Sequence, residues 1–458
     1  MSFPTYEKLV ASGVEWIGNV PYHWFRSRVK FDALLKARVG WHGLKSDEFT
    51  ETGPYLVTGS DFKGREVSWS DCYHCTVERY EQDKNIQLQT GDLLITKDGT
   101  IGKLMLIKSL PGKATLNSGI FVVRPLNESL STDFYYWLLQ SSVFYQFINA
   151  YQSGTTINHL YQETFGNLPY AKPPKSEQTQ IARFLDHETA KIDALIAEQK
   201  RLIKLLQEKR QAVISHAVTK GLDPNVPMKD SGAKWLGDVP AHWGMTRAKM
   251  VADIFIPQRN KPDLNDTGDG YYWVTMENMK TRQIHGSRRW ISNTALQAAG
   301  SKVIKKGAVV ASCVGNFGVA SILSVDAVIN QQLQAYIPKF VSASFLRDLI
   351  ACSKAYFDSV GTAATLVYVN REGFANLPIP LPPEHEQRAI EEHIEKLNSK
   401  FDCALLESND LVKILQERRS ALISAAVTGK IDVRDWQPPA DESAFDEDVQ
   451  KAGMEASA

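Results

Sequence analysis

The chain has 458 residues, 43% hydrophobic and 23% charged, with 52 basic and 52 acidic residues in formal balance. That length exceeds what one hydrophobic core usually serves, so two or three domains of soluble composition are expected. No apolar run reaches the roughly 20 residues of a membrane span, and five cysteines in so long a chain exclude a disulfide framework. The start, MSFPTYEKLVASG, lacks the basic end and apolar core of a secretory signal, so the expectation is a cytoplasmic protein without a membrane partner. The zero net charge conceals an uneven distribution: residues 21–165 sum to 0, residues 241–372 to +6 and the tail from Ile431 to −6. An acidic tail thus masks a basic second half, and the total is a poor guide to partners.

In chain order, the first marked passage is SGVEWIGNVPYHW, Ser12 to Trp24. His23 reads as a packing partner of Trp24. Short β-branched runs at Tyr55–Asp61, Asp92–Thr96 and Ile120–Arg124 predict strands, and Thr132–Ile148 a helix. Cys72-Tyr73-His74-Cys75 has the spacing of a zinc half-site, yet no second Cys/His pair completes four ligands, so buried small apolar residues are the plainer reading. Gly99-Thr100-Ile101-Gly102-Lys103 lacks both the upstream glycine and the following Ser/Thr of a phosphate loop, and reads as a turn. Asn167-Leu168-Pro169-Tyr170 resembles the Asn-Pro-Pro-Tyr motif of adenine-N6 methyltransferases but lacks the first proline, so it reads as an extended lead-in.

From Ser176 to Thr219 there is no Gly or Pro, and Leu185, Ile192, Ile196, Ile203, Leu206 and Val213 fall at helical spacing. Pro173 and Pro174 precede this stretch and Gly221 follows it, which predicts one helix of about 40 residues, roughly 60 Å long.

The opening passage then returns as SGAKWLGDVPAHW, Ser231 to Trp243, with His242 beside Trp243. Strands are predicted at Tyr272–Met276, Ala308–Ser312 and Gln334–Pro338, and a helix at Ser342–Phe357. GDLLITKDGTIG (from Gly91) lies over GAVVASCVGNFG (from Gly307), and NSGIFVVRP (from Asn117) over NQQLQAYIP (from Asn330). NLPYAKPPKSEQTQIARFL (from Asn167) lies over NLPIPLPPEHEQRAIEEHI (from Asn376), and a second long helix runs from Glu384 to Thr428. The repeat unit is about 210 residues, too long for a solenoid, so each copy is a domain.

The ends of the copies match well and the middles poorly, as expected of one framework carrying two binding surfaces. An isolated amphipathic helix cannot bury its stripe, so the two pack together as a coiled coil, with Gln199, Ser408, Arg210 and Arg419 as polar seam positions. Chain order makes them antiparallel. The expected architecture is mixed α+β: two globular domains, 1–172 and 222–381, joined by spacer helices at 173–221 and 382–430. It is a direct repeat with pseudo-twofold symmetry, followed by an acidic tail, 431–458, expected to be disordered.

The two SGxxWxGxVPxHW copies, the Pro-rich lead-ins with Glu177-Gln178 and Glu386-Gln387, and the AVTKG and AVTGK helix ends resemble the DNA-specificity subunit of type I restriction-modification systems. The resemblance spans Ser12 to about Trp436. It implies a non-catalytic chain with two target-recognition domains, each reading half of a bipartite, non-palindromic target on double-stranded DNA. It further implies two methyltransferase subunits docked on the helices, which bring S-adenosylmethionine and methylate adenine, and restriction/translocase subunits that use ATP and magnesium. No cofactor, metal or catalytic residue is expected in this chain.

Side chains able to meet bases or phosphates in the first middle are Thr58, Ser60, Lys63, Arg65, Lys97 and Ser118. In the second they are Thr275, Asn278, Arg282, Arg288, Arg289, Asn316, Gln331 and Gln332. Arg and Lys suit guanine, Asn and Gln suit adenine, and the Arg288-Arg289 pair suits phosphate. Three alternatives stay open on residues alone: a specificity module of another methyltransferase or restriction class, a coiled-coil scaffold that never touches DNA, and a self-contained methyltransferase, for which no cofactor motif is found.

Overall fold

The computed structural model describes residues 3–39, 42–151, 159–361 and 367–439. It divides into two units: Met1–Gln199 with Asp410–Ala458, and Lys200–Asn409. Each takes part of both long helices, Lys175–Lys220 and Glu384–Val427.

In the first unit a four-stranded antiparallel sheet has the order Ala33–Ala37, Ile120–Pro125, Leu93–Thr96, Leu104–Leu106. Its central strands are apolar on both faces because both are covered. Leu93, Ile95, Phe121 and Val123 join the core that also contains the helix Thr132–Gln140 and the long helices. Leu94, Ile120 and Val122, on the opposite face, join a second core with Val57, Phe62 and Leu116. That second core lies under a three-stranded sheet of Tyr73–His74, Thr50–Val57 and Ala114–Leu116, whose last two strands are parallel.

The second unit has the same plan. Val309, Ala311 and Tyr336 face the core of the long helices, while Val310, Ala335 and Leu333 face a core shared with Val274 and Ile329. The five-stranded sheet runs Ala252–Phe255, Leu333–Pro338, Val309–Ser312, Ala320–Leu323, Gln283–Ile284. The three-stranded one runs Trp290–Ile291, Tyr271–Val274, Ala327–Ile329.

The repeated motifs form one joint in each unit. Trp24 Nε1 donates to Glu177 Oε2 (2.9 Å), Tyr6 OH donates to the same oxygen (3.0 Å), and His23 Nε2 lies 2.6 Å from Oε1. In the second unit Trp243 Nε1 donates to Glu386 Oε2 (2.8 Å) and His242 Nε2 lies 2.6 Å from Oε1. Both histidines are bound by the helix glutamates; His242 packs on Trp243 as expected (6.4 Å between ring centres), whereas the His23 ring packs against Tyr6 and Tyr22. The following glutamines complete the joint: Gln178 Oε1 accepts Ser131 N (2.8 Å), and Gln387 Oε1 accepts Ser342 N (3.2 Å). Buried Glu177 with three partners and half-buried Glu386 with two are both satisfied rather than stranded, which explains why Trp, His and Glu return together.

The long helices run antiparallel within each unit. In the first, Ile192 and Ile196 share a core with Leu415 and Leu422, and Arg419 Nε donates to Asp193 Oδ1 (2.8 Å). In the second, Ile214 and Val218 share a core with Ile390 and Ile394, and Arg210 donates to Asn398 and Asp402, both at 2.7 Å. Ser408 is buried and Gln199 half-buried. Gly429 ends the second helix at φ 70°, where a Cβ would overlap Pro21.

Three local expectations are corrected. The helix expected over 132–148 is two, Thr132–Gln140 and Ser142–Tyr151, separated at buried Ser141, whose backbone is extended (ψ 167°) and whose hydroxyl donates to Leu138 O (2.6 Å). The helix expected over 342–357 likewise divides into Ala343–Cys352 and Lys354–Val360 at buried Ser353, where ψ turns to 17°. The tail from Ile431 starts inside the fold: Ile431 and Val433 are buried and Trp436 packs edge-on against Phe184. The acidic stretch beyond residue 439 lies outside the described residues.

Candidate nucleic-acid interface

Two parallel strands end side by side in each unit, and the chain leaves both at the same end. In the first, Val57 is level with Leu116, and Asn117 N donates to Val57 O (2.8 Å). In the second, Val274 is level with Ile329, and Asn330 N donates to Val274 O (3.0 Å). This end gathers Thr58, Ser60 and Ser118 in one unit and Thr275, Asn278 and Gln332 in the other.

A 3₁₀ turn follows the first strand of each pair. Asp61 Oδ2 accepts Thr58 N (2.6 Å) and Thr58 Oγ1 (3.0 Å), and Thr58 Oγ1 lies 2.7 Å from Ser60 Oγ. This capture ends the strand at Val57, short of the expected Asp61. In the second unit Asn278 Oδ1 accepts Thr275 N (2.9 Å) and Oγ1 (3.3 Å).

Beside the second turn lies an open cleft of about 750 Å³. Its walls carry Lys261, Lys280, Arg288 and Arg289 against one carboxylate, Glu277, and its polar lining includes Thr275, Asn278, Asn330 and Gln332. Arg288 has no ion-pair partner among the described residues, and Arg289 lies 3.6 Å from exposed Asp266. Four cations over amide and hydroxyl groups suit a polyanion whose edges are read by hydrogen bonds. Asn330 Nδ2 donates to Gln332 Oε1 (3.2 Å), which pre-orients both.

Other sequence-derived candidates lie elsewhere or are bound within the fold. Arg65 donates to Asp186 (2.7 Å) and Asp133 (3.3 Å) and stacks 4.6 Å from the Tyr136 ring centre. Arg282 takes both oxygens of Asp348 at 2.6 and 2.7 Å. These two arginines brace the turn against the neighbouring helix, a structural duty in place of the base contact expected of a free guanidinium. Lys97 is largely buried and pairs with Asp98 (2.8 Å). Gln331 Nε2 donates to Gln258 O and Arg259 O, both at 3.1 Å. Asn316 is exposed in the turn after Val309–Ser312, and Lys63 is exposed 3.8 Å from Asp71.

Lys261, Lys280, Asn330 and Asp61 escaped the sequence reading. A signal existed: Val57-Thr58 through Lys63-Gly64-Arg65 and Val274-Thr275 through Lys280-Thr281-Arg282 keep Thr, Lys and Arg at identical spacing inside middles that otherwise diverge.

The weaker motifs resolve structurally. Cys72 and Cys75 enter different cores, flanking a strand of two residues, and no metal-holding cluster occurs among the described residues. Burial, with Asp61 and Asp71 nearby, pushes the Cys72 thiol up to about 12. Tyr170 is buried and donates its hydroxyl to Asp32, so it cannot stack on a base.

The family model for the type I restriction modification DNA specificity domain matches residues 43–205 and 240–409. The MjaVIII type I restriction enzyme specificity subunit of Methanocaldococcus jannaschii is 22% identical over 77% of this chain and 82% of its own length. The EcoDI specificity subunit of Escherichia coli is 21% identical over 86% of this chain and 90% of its own. Among solved structures, a chain described under complex assembly and conformational transition of the type I R-M system superposes with a TM-score of 0.67 at 18% identity, covering 90% of this chain and 99% of that one.

Proposed function

Since the chain belongs to the type I restriction modification DNA specificity family, we propose that it is the non-catalytic subunit that reads a bipartite, non-palindromic sequence on double-stranded DNA. The observation that supports this is the sheet end present in both units, with a common backbone frame and unlike polar side chains. Each unit then reads one half-site, and unlike side chains give unlike halves.

On this reading two methyltransferase subunits carry S-adenosylmethionine and methylate adenine where the chain directs them, and restriction/translocase subunits use ATP and magnesium. The complex works on DNA in the cytoplasm; among the described residues no helix is long and apolar enough to cross a membrane. The cations of the second cleft hold phosphates and set the register. On this reading Thr275, Asn278, Asn330 and Gln332, which line the same cleft, meet base edges.

The test is the adenine methylome of the source cells with and without this gene. Loss of one split motif on deletion is the expected result. A methylome that does not change, or that loses a continuous palindrome, overturns the reading.

A further inference from the structure

The two turns share a capping frame, Thr at the first position and a side-chain oxygen at the fourth that accepts the Thr N–H, and they differ in which atom of the fourth residue is left over. In the second unit the Thr275 N–H must meet an oxygen, which fixes the amide of Asn278 with Oδ1 inward and Nδ2 outward. Nδ2 donates to no described residue, and Asn278 lines the basic cleft. In the first unit Thr58 N and Oγ1 both occupy Oδ2 of Asp61, and Oδ1 is bonded to none of the described residues. Asn278 is half-buried on the cleft wall, whereas Asp61 is buried with 8% of its surface exposed, and neither Nδ2 nor Oδ1 is among the fully buried polar atoms without a partner. The same turn therefore offers a hydrogen-bond donor in one unit and an acceptor in the other.

We infer that Asn278 and Asp61 are paired specificity determinants of opposite polarity. This rests on the DNA reading proposed above. Asn278 Nδ2 donates to a base acceptor in the major groove: guanine O6 or N7, adenine N7 or thymine O4. Asp61 Oδ1 accepts from an exocyclic amino group, cytosine N4 or adenine N6. A carboxylate has no donor and cannot take the first role, nor can the outward NH2 of a locked amide take the second. A base presenting the wrong group leaves a desolvated polar atom unpaired, so discrimination comes from rejection as much as attraction. Lys63 and Lys280, two residues further on and both exposed, supply the neighbouring positive charge.

The experiment exchanges the two chemistries. Asn278→Asp and Asp61→Asn each keep an oxygen for the threonine N–H, so the turn survives while the outward atom changes polarity. The full-length chain, purified with the proteins that accompany it in its source cells, selects duplexes from a random pool, and the bound sequences are compared. Asn278→Asp is expected to change the preferred base at one position of one half-site by about tenfold and leave the other half as in the wild type. Asp61→Asn does the converse in the other half. Asn278→Ala and Asp61→Ala relax the same positions without installing a new preference.

Unchanged base preferences in the exchanged variants, or affinity reduced equally over all sequences, overturn the inference while leaving the DNA reading intact. A wild-type chain that selects no sequence overturns both.

Discussion

Arg282 grips Asp348 with two nearly equal hydrogen bonds, 2.6 and 2.7 Å, and the Asp348 side chain is almost wholly buried. Arg347 donates to the same carboxylate. Removing one cation from a buried acid leaves charge poorly compensated, a loss of about 3 kcal/mol when a buried pair is broken. Because Arg347 remains, Arg282→Ala is expected to cost somewhat less, about 2 kcal/mol, read as a lower urea midpoint of the full chain. An unchanged midpoint would show that the grip contributes nothing to stability.

Replacing Arg288 and Arg289 should act in the opposite register. Both are exposed, so Arg288→Ala/Arg289→Ala leaves thermal stability within about 0.5 kcal/mol. DNA affinity should fall on every sequence, and the slope of log K against log salt should become shallower by about one for each phosphate left without its arginine. Titration at several salt concentrations reads both quantities.

The two mounting glutamates should differ in weight. Glu177 accepts from Tyr6 and Trp24 and meets His23, and its side chain is 10% exposed, against 29% for Glu386, which meets Trp243 and His242. Glu177→Ala strands more buried donors and should destabilise by about 3 kcal/mol, Glu386→Ala by about 1 to 2. Denaturant unfolding of the two variants checks the order, and equal costs would contradict it.

Burial pushes the Asp32 carboxyl up, but hydrogen bonds from Lys172, Ser27 and Tyr170 outweigh it and hold the group below its ordinary range. A carboxyl depressed in the folded state contributes stability that is present above the unfolded pKa, near 4, and lost as pH falls through the lower folded value. Asp32→Asn should therefore lower stability at neutral pH and flatten the acid limb of the stability profile. Equilibrium unfolding between pH 7 and pH 2 measures the change.

The parts of the joint were legible in the sequence because they are large, rare side chains at fixed spacing, Trp24 and His23 recurring as Trp243 and His242 and Glu177 as Glu386, but their contact was not, since about 150 residues separate the aromatic motif from the glutamate. The long helices were legible for the same kind of reason, an uninterrupted apolar period. The reading end was only partly so. Thr58 and Thr275 were found, but Arg65 and Arg282 look like free cations until Asp133, Asp186 and Asp348, distant in sequence, fold against them. Lys261 was missed because nothing local distinguishes a lysine on a cleft wall from one in open solvent, and Lys280 because the spacing it shares with Lys63 shows only when the two diverged middles are laid over each other. The backbone leaves the helix at Ser141 and Ser353 although the apolar pattern runs straight through them, with neither Gly nor Pro to mark the break.

The central sheet of each unit sends alternate residues of a single strand into different cores, Leu93 and Ile95 to one, Leu94 to the other. It is thus a partition. Side chains behind the reading end can be repacked against one face while the face that seats Trp24, the long helix and its partner stays as it was. Substitutions on the face toward Val57 and Leu116 therefore leave the contacts of Trp24 and the long helix untouched.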